Sequence, residues 1–443
     1  MRSSPGVACL KACPDTGRLV KLPNLRTDAT ELRLCAFVLI ARWCRLSQHH
    51  TRTKSDRIIS VPELSPEFPL HRRSCTSVVF CLALACAAAS QNAVSPKPLP
   101  ARPGLPPGKL IAARDMTAAR GGHTATILPD FKVLIAGGKQ EHGIVLASTE
   151  IYDPTTETFS RAGKMRVPRE GHIAASLPDS KILIAGGATR GGIPLSSSED
   201  YDFETGAFTA RGNMHARRVH ATATVLRDGR VLVTGGEDGN LPLASSEFYD
   251  VLNGKWTLVG KMSTPRAHHS ATLLSDGRVL IAGGTGNHHA ALASAEIFDP
   301  KTNTFTPAAS LHQARSGHTA ALLANGAVLI AGGTDTADGT PLASAEIYSP
   351  KTSSFTTTGS LAEARFNLPD SAALLDGRVL IVGGAVSAEV YDPRKGEFRT
   401  VDGSLDTARY YPAILQLMDG TTRIFGGYDS KGISTAKTWI YRP

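Results

Sequence analysis

The residues best suited to chemistry in this chain are arginine, histidine and glutamate, and each recurs at a regular interval. One arginine stands in every interval, at Arg120, Arg169, Arg217, Arg266, Arg315, Arg365 and Arg409. Three places after five of them comes a histidine, at His123, His172, His220, His269 and His318, and six glutamates recur in a common register, Glu150, Glu199, Glu247, Glu296, Glu346 and Glu389. A guanidinium is always charged, so each arginine either pairs with a carboxylate inside the scaffold or faces a ligand. A residue repeated in every copy serves the copy better than it serves one asymmetric ligand, which favours Arg–Glu pairing as structural glue. The histidines likewise read as hydrogen-bonded packing groups, because one per copy around a wide ring is poor geometry for a single ion. His268-His269 and His288-His289 are adjacent pairs whose side chains diverge along an extended chain. The expectation is therefore no metal and no cofactor.

The informative places are where the interval breaks. The sixth copy has Leu368 in place of its histidine, inserts Asn367 and Pro369-Asp370, and shortens its upper loop to residues 384–389. The seventh replaces the same element with Arg409-Tyr410-Tyr411-Pro412, and Trp439 stands where its glutamate belongs. A lowered wall beside two aromatics and an arginine without a carboxylate makes a notch for a sugar or a peptide. Its candidate ligand-binding residues are Arg365, Asn367, Arg409, Tyr410 and Tyr411, and the competing reading is an irregularity of the closing copies.

These positions are set by a repeat whose marker is a Gly-Gly pair. Its first glycine falls at Gly137, Gly186, Gly235, Gly283, Gly332, Gly383 and Gly426, in steps of 49, 49, 48, 49, 51 and 43. In residues 311–361 one copy spells four short strands and no helix. His318 to Leu323 is rich in β-formers, Asn325-Gly326 supplies positive φ for a tight turn, and Val328 to Ala331 is apolar on both faces. Ala345 to Tyr348 and Phe355 onward supply the other two strands. A lone four-stranded sheet cannot bury both faces, so seven of them must pack on one another, and they close best as a ring of blades. The chain ends straight after the third strand of copy seven, and Lys109-Leu-Ile-Ala-Ala-Arg114 occupies the register of a fourth strand. It is expected to complete the last blade.

Through the Arg-x-x-His, Gly-Gly and Glu-x-Tyr-Asp-Pro elements, residues 109–443 resemble the kelch-repeat propellers. The resemblance implies an all-β, seven-bladed propeller whose loop face at the inner-strand entry binds partners. Arg409-Tyr410-Tyr411-Pro412 also looks like part of the galactose oxidase and glyoxal oxidase propellers, which use copper, a tyrosine cross-linked to cysteine, and a Tyr-His pair. No Tyr-His dipeptide exists here, and all seven cysteines precede residue 87. That chemistry is accordingly not expected, and no Ser-His-Asp order, P-loop or HExxH motif suggests another enzyme class.

Ahead of the repeats, residues 1–70 show no periodicity and read as an extension from an upstream start codon. Residues 71–90 combine a basic start, an apolar core and small residues, as a secretory signal peptide does. Cys86 offers a lesser possibility of lipid anchoring, and residues 91–108 form a Pro-rich linker. No run is long and apolar enough for a transmembrane segment in the mature chain. Residues 1–108 hold 15 of the 48 Lys and Arg but 6 of the 39 Asp and Glu, leaving 33 of each sign for residues 109–443. A propeller without net charge gives no basic face for nucleic acid. The sequence thus points to an extracytoplasmic, monomeric, non-enzymatic binding module for a protein or glycan. The alternative is a metal-independent carbohydrate enzyme of mutarotase type.

Overall fold

The computed structural model describes residues 105–443 apart from 240, 336–338 and 369–371. It also describes two three-residue strands, Leu10–Ala12 and Leu19–Lys21, which pair antiparallel. The expected signal peptide at 71–90 and Cys86 lie outside the described residues, as do the other residues of 1–104.

Seven four-stranded antiparallel sheets follow one another along the chain. In blade one the strands are Thr124–Ile127, Val133–Ala136, Ser148–Asp153 and Thr158–Lys164. The second strand of this blade is buried at every position, because both of its faces are covered. The innermost strands of the later blades are Ile173–Ser176, Thr222–Val225, Ser270–Leu273, Thr319–Leu322, Ala372–Ala373 and Ala413–Gln416. Each lies beside the innermost strands of the blades before and after it, and the seventh lies beside the first. The architecture is therefore an all-β, seven-bladed β-propeller. Among the described residues there is no α-helix, only two single 3-10 turns.

The first turn of each blade differs in detail from the sequence expectation. Of Asn325 and Gly326 only the glycine has positive φ, at 83°. Leu323 and Ala327 close the loop, with the Leu323 N–H donating to the Ala327 carbonyl at 2.8 Å. Asn325 contributes its side chain, whose Oδ1 accepts from the Ala327 N–H at 3.0 Å. Asp-Gly serves the same purpose in blades three, four, six and seven, because aspartate offers the same oxygen.

The Gly-Gly pair is where successive blades lock together. The N–H of its second glycine donates to the carbonyl of the next blade's entry arginine: Gly138 to Arg169, Gly187 to Arg218, Gly236 to Arg266, Gly284 to Arg315, Gly333 to Arg365, Gly384 to Arg409, and Gly427 around to Arg120, at 2.7 to 2.9 Å in most and 3.0 Å in the third. Glycine is required at the first position too. A Cβ at Gly137, whose φ is +65°, would stand 2.5 Å from the Arg169 carbonyl oxygen and 2.8 Å from the His172 ring.

Closure follows the sequence expectation, with the strand spanning Lys109–Ala112. It pairs antiparallel with Thr438–Arg442, Leu110 opposite Tyr441 and Ala112 opposite Trp439. Leu110 is 2% exposed and packs with Val401, Leu405, Trp439 and Tyr441. The Tyr441 hydroxyl donates to the Pro107 carbonyl at 3.0 Å, which ties down the chain just before the strand. Deleting residues 1–104 should leave the thermal midpoint unchanged, whereas deleting residues 1–114 should cost several kcal/mol, roughly the burial energy of Leu110 and Ile111 plus exposure of their partners. Equal midpoints for the two truncations would refute the assignment.

Candidate functional site

The entry arginine is a tie within its own blade. Arg266 donates from Nη1 to the Gly283 and Ser294 carbonyls at 2.7 and 2.9 Å, and from Nη2 to Glu296 at 2.9 Å. The Glu296 carboxylate also accepts the N–H groups of Ser263 and Thr264, so both of its oxygens are occupied. The same arrangement joins Arg120 to Glu150, Arg169 to Glu199, Arg218 to Glu247, Arg315 to Glu346 and Arg365 to Glu389, and each of these arginines is at most 1% exposed. Burial lowers the affinity of each guanidinium for its proton, and the facing glutamate opposes that loss.

Three sequence expectations need correction here. In blade three the tie is Arg218, and Arg217 is an exposed rim residue 3.4 Å from Asp238. Arg365 does not face a ligand, since it is fully buried against Glu389. Arg409 is not free either: although Trp439 replaces its glutamate, Asp406 three residues earlier takes both Nε and Nη2, at 3.1 and 2.7 Å.

The repeated histidines are also internal. His172, His269 and His318 reach back to a hydroxyl on the preceding blade's innermost strand, respectively Thr124 at 3.0 Å, Thr222 at 3.0 Å and Ser270 at 2.9 Å. Burial, aided by the adjacent Arg169 and Arg315 charges, pushes His172 and His318 each down to about 3. His220 is not their counterpart. Ala221 fills that column in blade three, and His220 sits one place earlier, in the column of Gly122, Gly171, His268, Gly317, Asn367 and Tyr411.

That earlier column forms the rim of the axial channel. All seven of its residues have positive φ, between 49° and 62°. Their backbones make a closed circle of hydrogen bonds: Gly171 N–H to Gly122 O, His220 to Gly171, His268 to His220, Gly317 to His268, Tyr411 to Asn367 and Gly122 to Tyr411. In blade six the donor slips by one residue, so that the Leu368 N–H reaches Gly317 O, which is the structural effect of the insertion around Asn367.

Above this circle, on the loop face, opens a cavity of about 670 Å³. Asn367, Tyr410 and Tyr411 line it, so three of the five expected residues come together while Arg365 and Arg409 stay behind them in the blades. Tyr410 packs on Phe366 with ring centroids 5.2 Å apart, and Tyr411 stacks near His220 at 6.1 Å. Across the cavity the Tyr428 hydroxyl contacts the Gly121 carbonyl at 2.8 Å and Glu170 at 3.2 Å, while Lys139 holds the other oxygen of Glu170 at 2.9 Å. Burial, together with the Glu170 charge, pushes the Tyr428 phenol well above its ordinary value. Burial and the charges of Glu237 and Glu170 do the same to Tyr411.

Sequence reasoning missed Glu170, Tyr428, Glu237 and His268. All four sit beside regularly repeated elements but belong to columns that vary from blade to blade. His220, expected to stand one per blade with the other repeated histidines, instead has its ring centroid 4.0 Å from that of His268 in the next blade, and Glu237 joins them. The left-handed turn at both positions aims the two rings toward the axis, where an extended chain would have separated them.

Comparison with known proteins agrees with the fold. The kelch motif model matches residues 217–263 and 266–312. A fungal alcohol oxidase of the AA5 family, solved in complex with copper, is similar over 76% of this chain and 76% of its own, with 17% identity and a TM-score of 0.64. No curated protein matches the chain. The chain is a seven-bladed β-propeller that carries kelch motifs at residues 217–263 and 266–312, and it shares its fold with the AA5 oxidase. The radical-copper residue set does not fit it: residues 105–443 contain no cysteine to cross-link, and Pro412 follows Tyr411 where a Tyr-His pair would be needed.

Two measurements test this assignment of roles. Arg365→Ala and Arg266→Ala should each lose stability on the order of 3 kcal/mol, since each leaves a buried carboxylate without its cation. Chemical denaturation in which Arg365→Ala is silent would return that residue to the ligand-facing set. For the histidines, a folded pKa of about 3 for His318 against an unfolded value near 6.5 means stability that is complete above pH 6.5 and declines as pH falls toward 3. Each such residue should contribute a slope of roughly 1.4 kcal/mol per pH unit in that window. His318→Gln should flatten the slope by that amount between pH 6 and 4, and unchanged slopes would sink the reading.

Proposed function

We propose that the protein is an extracytoplasmic, non-enzymatic binding module that takes a carbohydrate into the cavity on its loop face. The observation that carries this reading is the make-up of the cavity wall. Phe366, Tyr410, Tyr411 and Tyr428 supply flat apolar surface, and Glu170, Asn367 and Asp429 interleave acceptors and an amide among them. Sugars present apolar ring faces edged by hydroxyl groups, and such a wall answers both features. A volume of about 670 Å³ lies in the range of small-ligand sites. The extracytoplasmic placement rests on the signal-peptide pattern at residues 71–90.

One observation favours the second reading, a metal-independent sugar enzyme: the Tyr428 hydroxyl stands 3.2 Å from Glu170 inside the cavity, a donor and a carboxylate placed as an acid–base couple requires. A single series separates the two. On a glycan array followed by calorimetry, the protein should retain one sugar class, and Phe366→Ala and Asp429→Asn, which keeps the Oδ1 acceptor used by the Lys431 and Ile433 N–H groups, should weaken retention at least roughly tenfold with the fold retained by circular dichroism. Retention of no glycan, or variants that bind as the parent does, would defeat the proposal. NMR of the retained sugar should show no accelerated exchange between anomers, and acceleration abolished by Glu170→Gln would replace the binding reading with the enzymatic one.

A further inference from the structure

We infer that His220, Glu237 and His268 form a site for one divalent transition-metal ion, zinc(II) or a first-row neighbour, beside the axial channel at the edge of the cavity. One ligating atom from each of the three lies within 4.8 Å of the other two. His220 Nδ1 and Glu237 Oε1 are already 3.3 Å apart, which is the edge length of a tetrahedron with metal–ligand bonds of roughly 2.0 to 2.1 Å. The other two edges, from His268 to His220 and to Glu237, are each within 4.8 Å. Two imidazoles and a carboxylate are borderline donors that suit zinc and its neighbours, and three protein ligands leave a position open to water or a ligand oxygen.

The backbone gives an independent reason. Blades one, two and five fill this column with Gly122, Gly171 and Gly317, the residue for which a positive φ carries no steric penalty. Blades three and four instead hold histidine at φ of 54° and 51°. Side chains kept in a rarely adopted conformation at adjacent blades, converging on a carboxylate, are strain held at a site. Among the described residues no side chain hydrogen-bonds His268, so its ring nitrogens are uncommitted.

The inference is independent of the carbohydrate reading, and its test uses zinc chloride alone. All seven cysteines precede residue 87, so the thiols of the full chain are alkylated first and the protein is stripped with a chelator. Calorimetry and elemental analysis should then find one zinc per chain in this site, and cobalt(II) in its place should show the visible bands of low-coordinate nitrogen and oxygen ligation. The double variant His220→Gly/His268→Gly installs the residue that three other blades carry there, so it should fold with an unchanged thermal midpoint without zinc. It should bind zinc at least roughly 100-fold more weakly, beyond the loss expected for an outer-shell change. His288→Ala/His289→Ala, altering exposed neighbours on the loop of blade four, should bind zinc as the parent does. Absence of a stoichiometric zinc in the parent, or equal affinity in parent and double variant, would overturn the site.

Discussion

Every blade depends on the burial of one positive charge. An unpaired guanidinium has no place inside a protein, and here each is surrounded: in blades one to six a glutamate takes one end, in blade seven Asp406 does, and in blades one to five the blade's own Gly-Gly turn takes the other. The same residue's main-chain carbonyl receives the hydrogen bond from the blade before it. Side chain and backbone of one arginine thus define the interior of a blade and its joint with the next. Hydrophobic packing between the facing sheets of neighbouring blades, such as Leu134 and Ala136 of blade one on Ile182 and Ile184 of blade two, makes up the core, but it is the polar hub that fixes where each blade starts.

This explains how far the fold was legible and where reading failed. Gly-Gly spacing, Asp-Gly turns and apolar second strands each carry a local physical meaning, so blade number, strand content and the closing role of Leu110 could be read directly. The error in blade three came from trusting a local pattern, since Arg217-Arg218-Val219-His220 satisfies Arg-x-x-His one residue early. A longer-range constraint decides the matter: the arginine must reach the first Gly-Gly carbonyl, 17 residues ahead in blades one to five, and from Gly235 that is Arg218. Arg409 was misread for the opposite reason. Its substitute carboxylate, Asp406, lies outside the repeat register, where a search for repeated glutamates does not look.

The cavity was only partly legible because its residues occupy repeat columns whose residue type changes from blade to blade. Asn367, Tyr410 and Tyr411 were visible as breaks in the pattern. Glu170 and Tyr428 meet across the closing seam of the ring, one from blade two and one from blade seven, and a separation of 258 positions leaves no mark in local sequence. His220 and His268 were in plain view, but their rings converge only because the backbone turns left-handed there.

The circle of seven left-handed residues around the axis has one further consequence. Its hydrogen bonds use only backbone atoms, and the path of the chain is nearly the same whether the position holds glycine, histidine, asparagine or tyrosine. The channel rim therefore works as a ring of sockets that differ in room: a Cβ at Gly122 would meet nothing closer than 3.5 Å, whereas one at Gly171 would stand 2.9 Å from the Val219 side chain. Most residue types meet a steric penalty there, so the alphabet of each socket is short. Within that alphabet, a repeating scaffold can acquire an asymmetric, chemically distinct centre by single substitutions, one socket at a time.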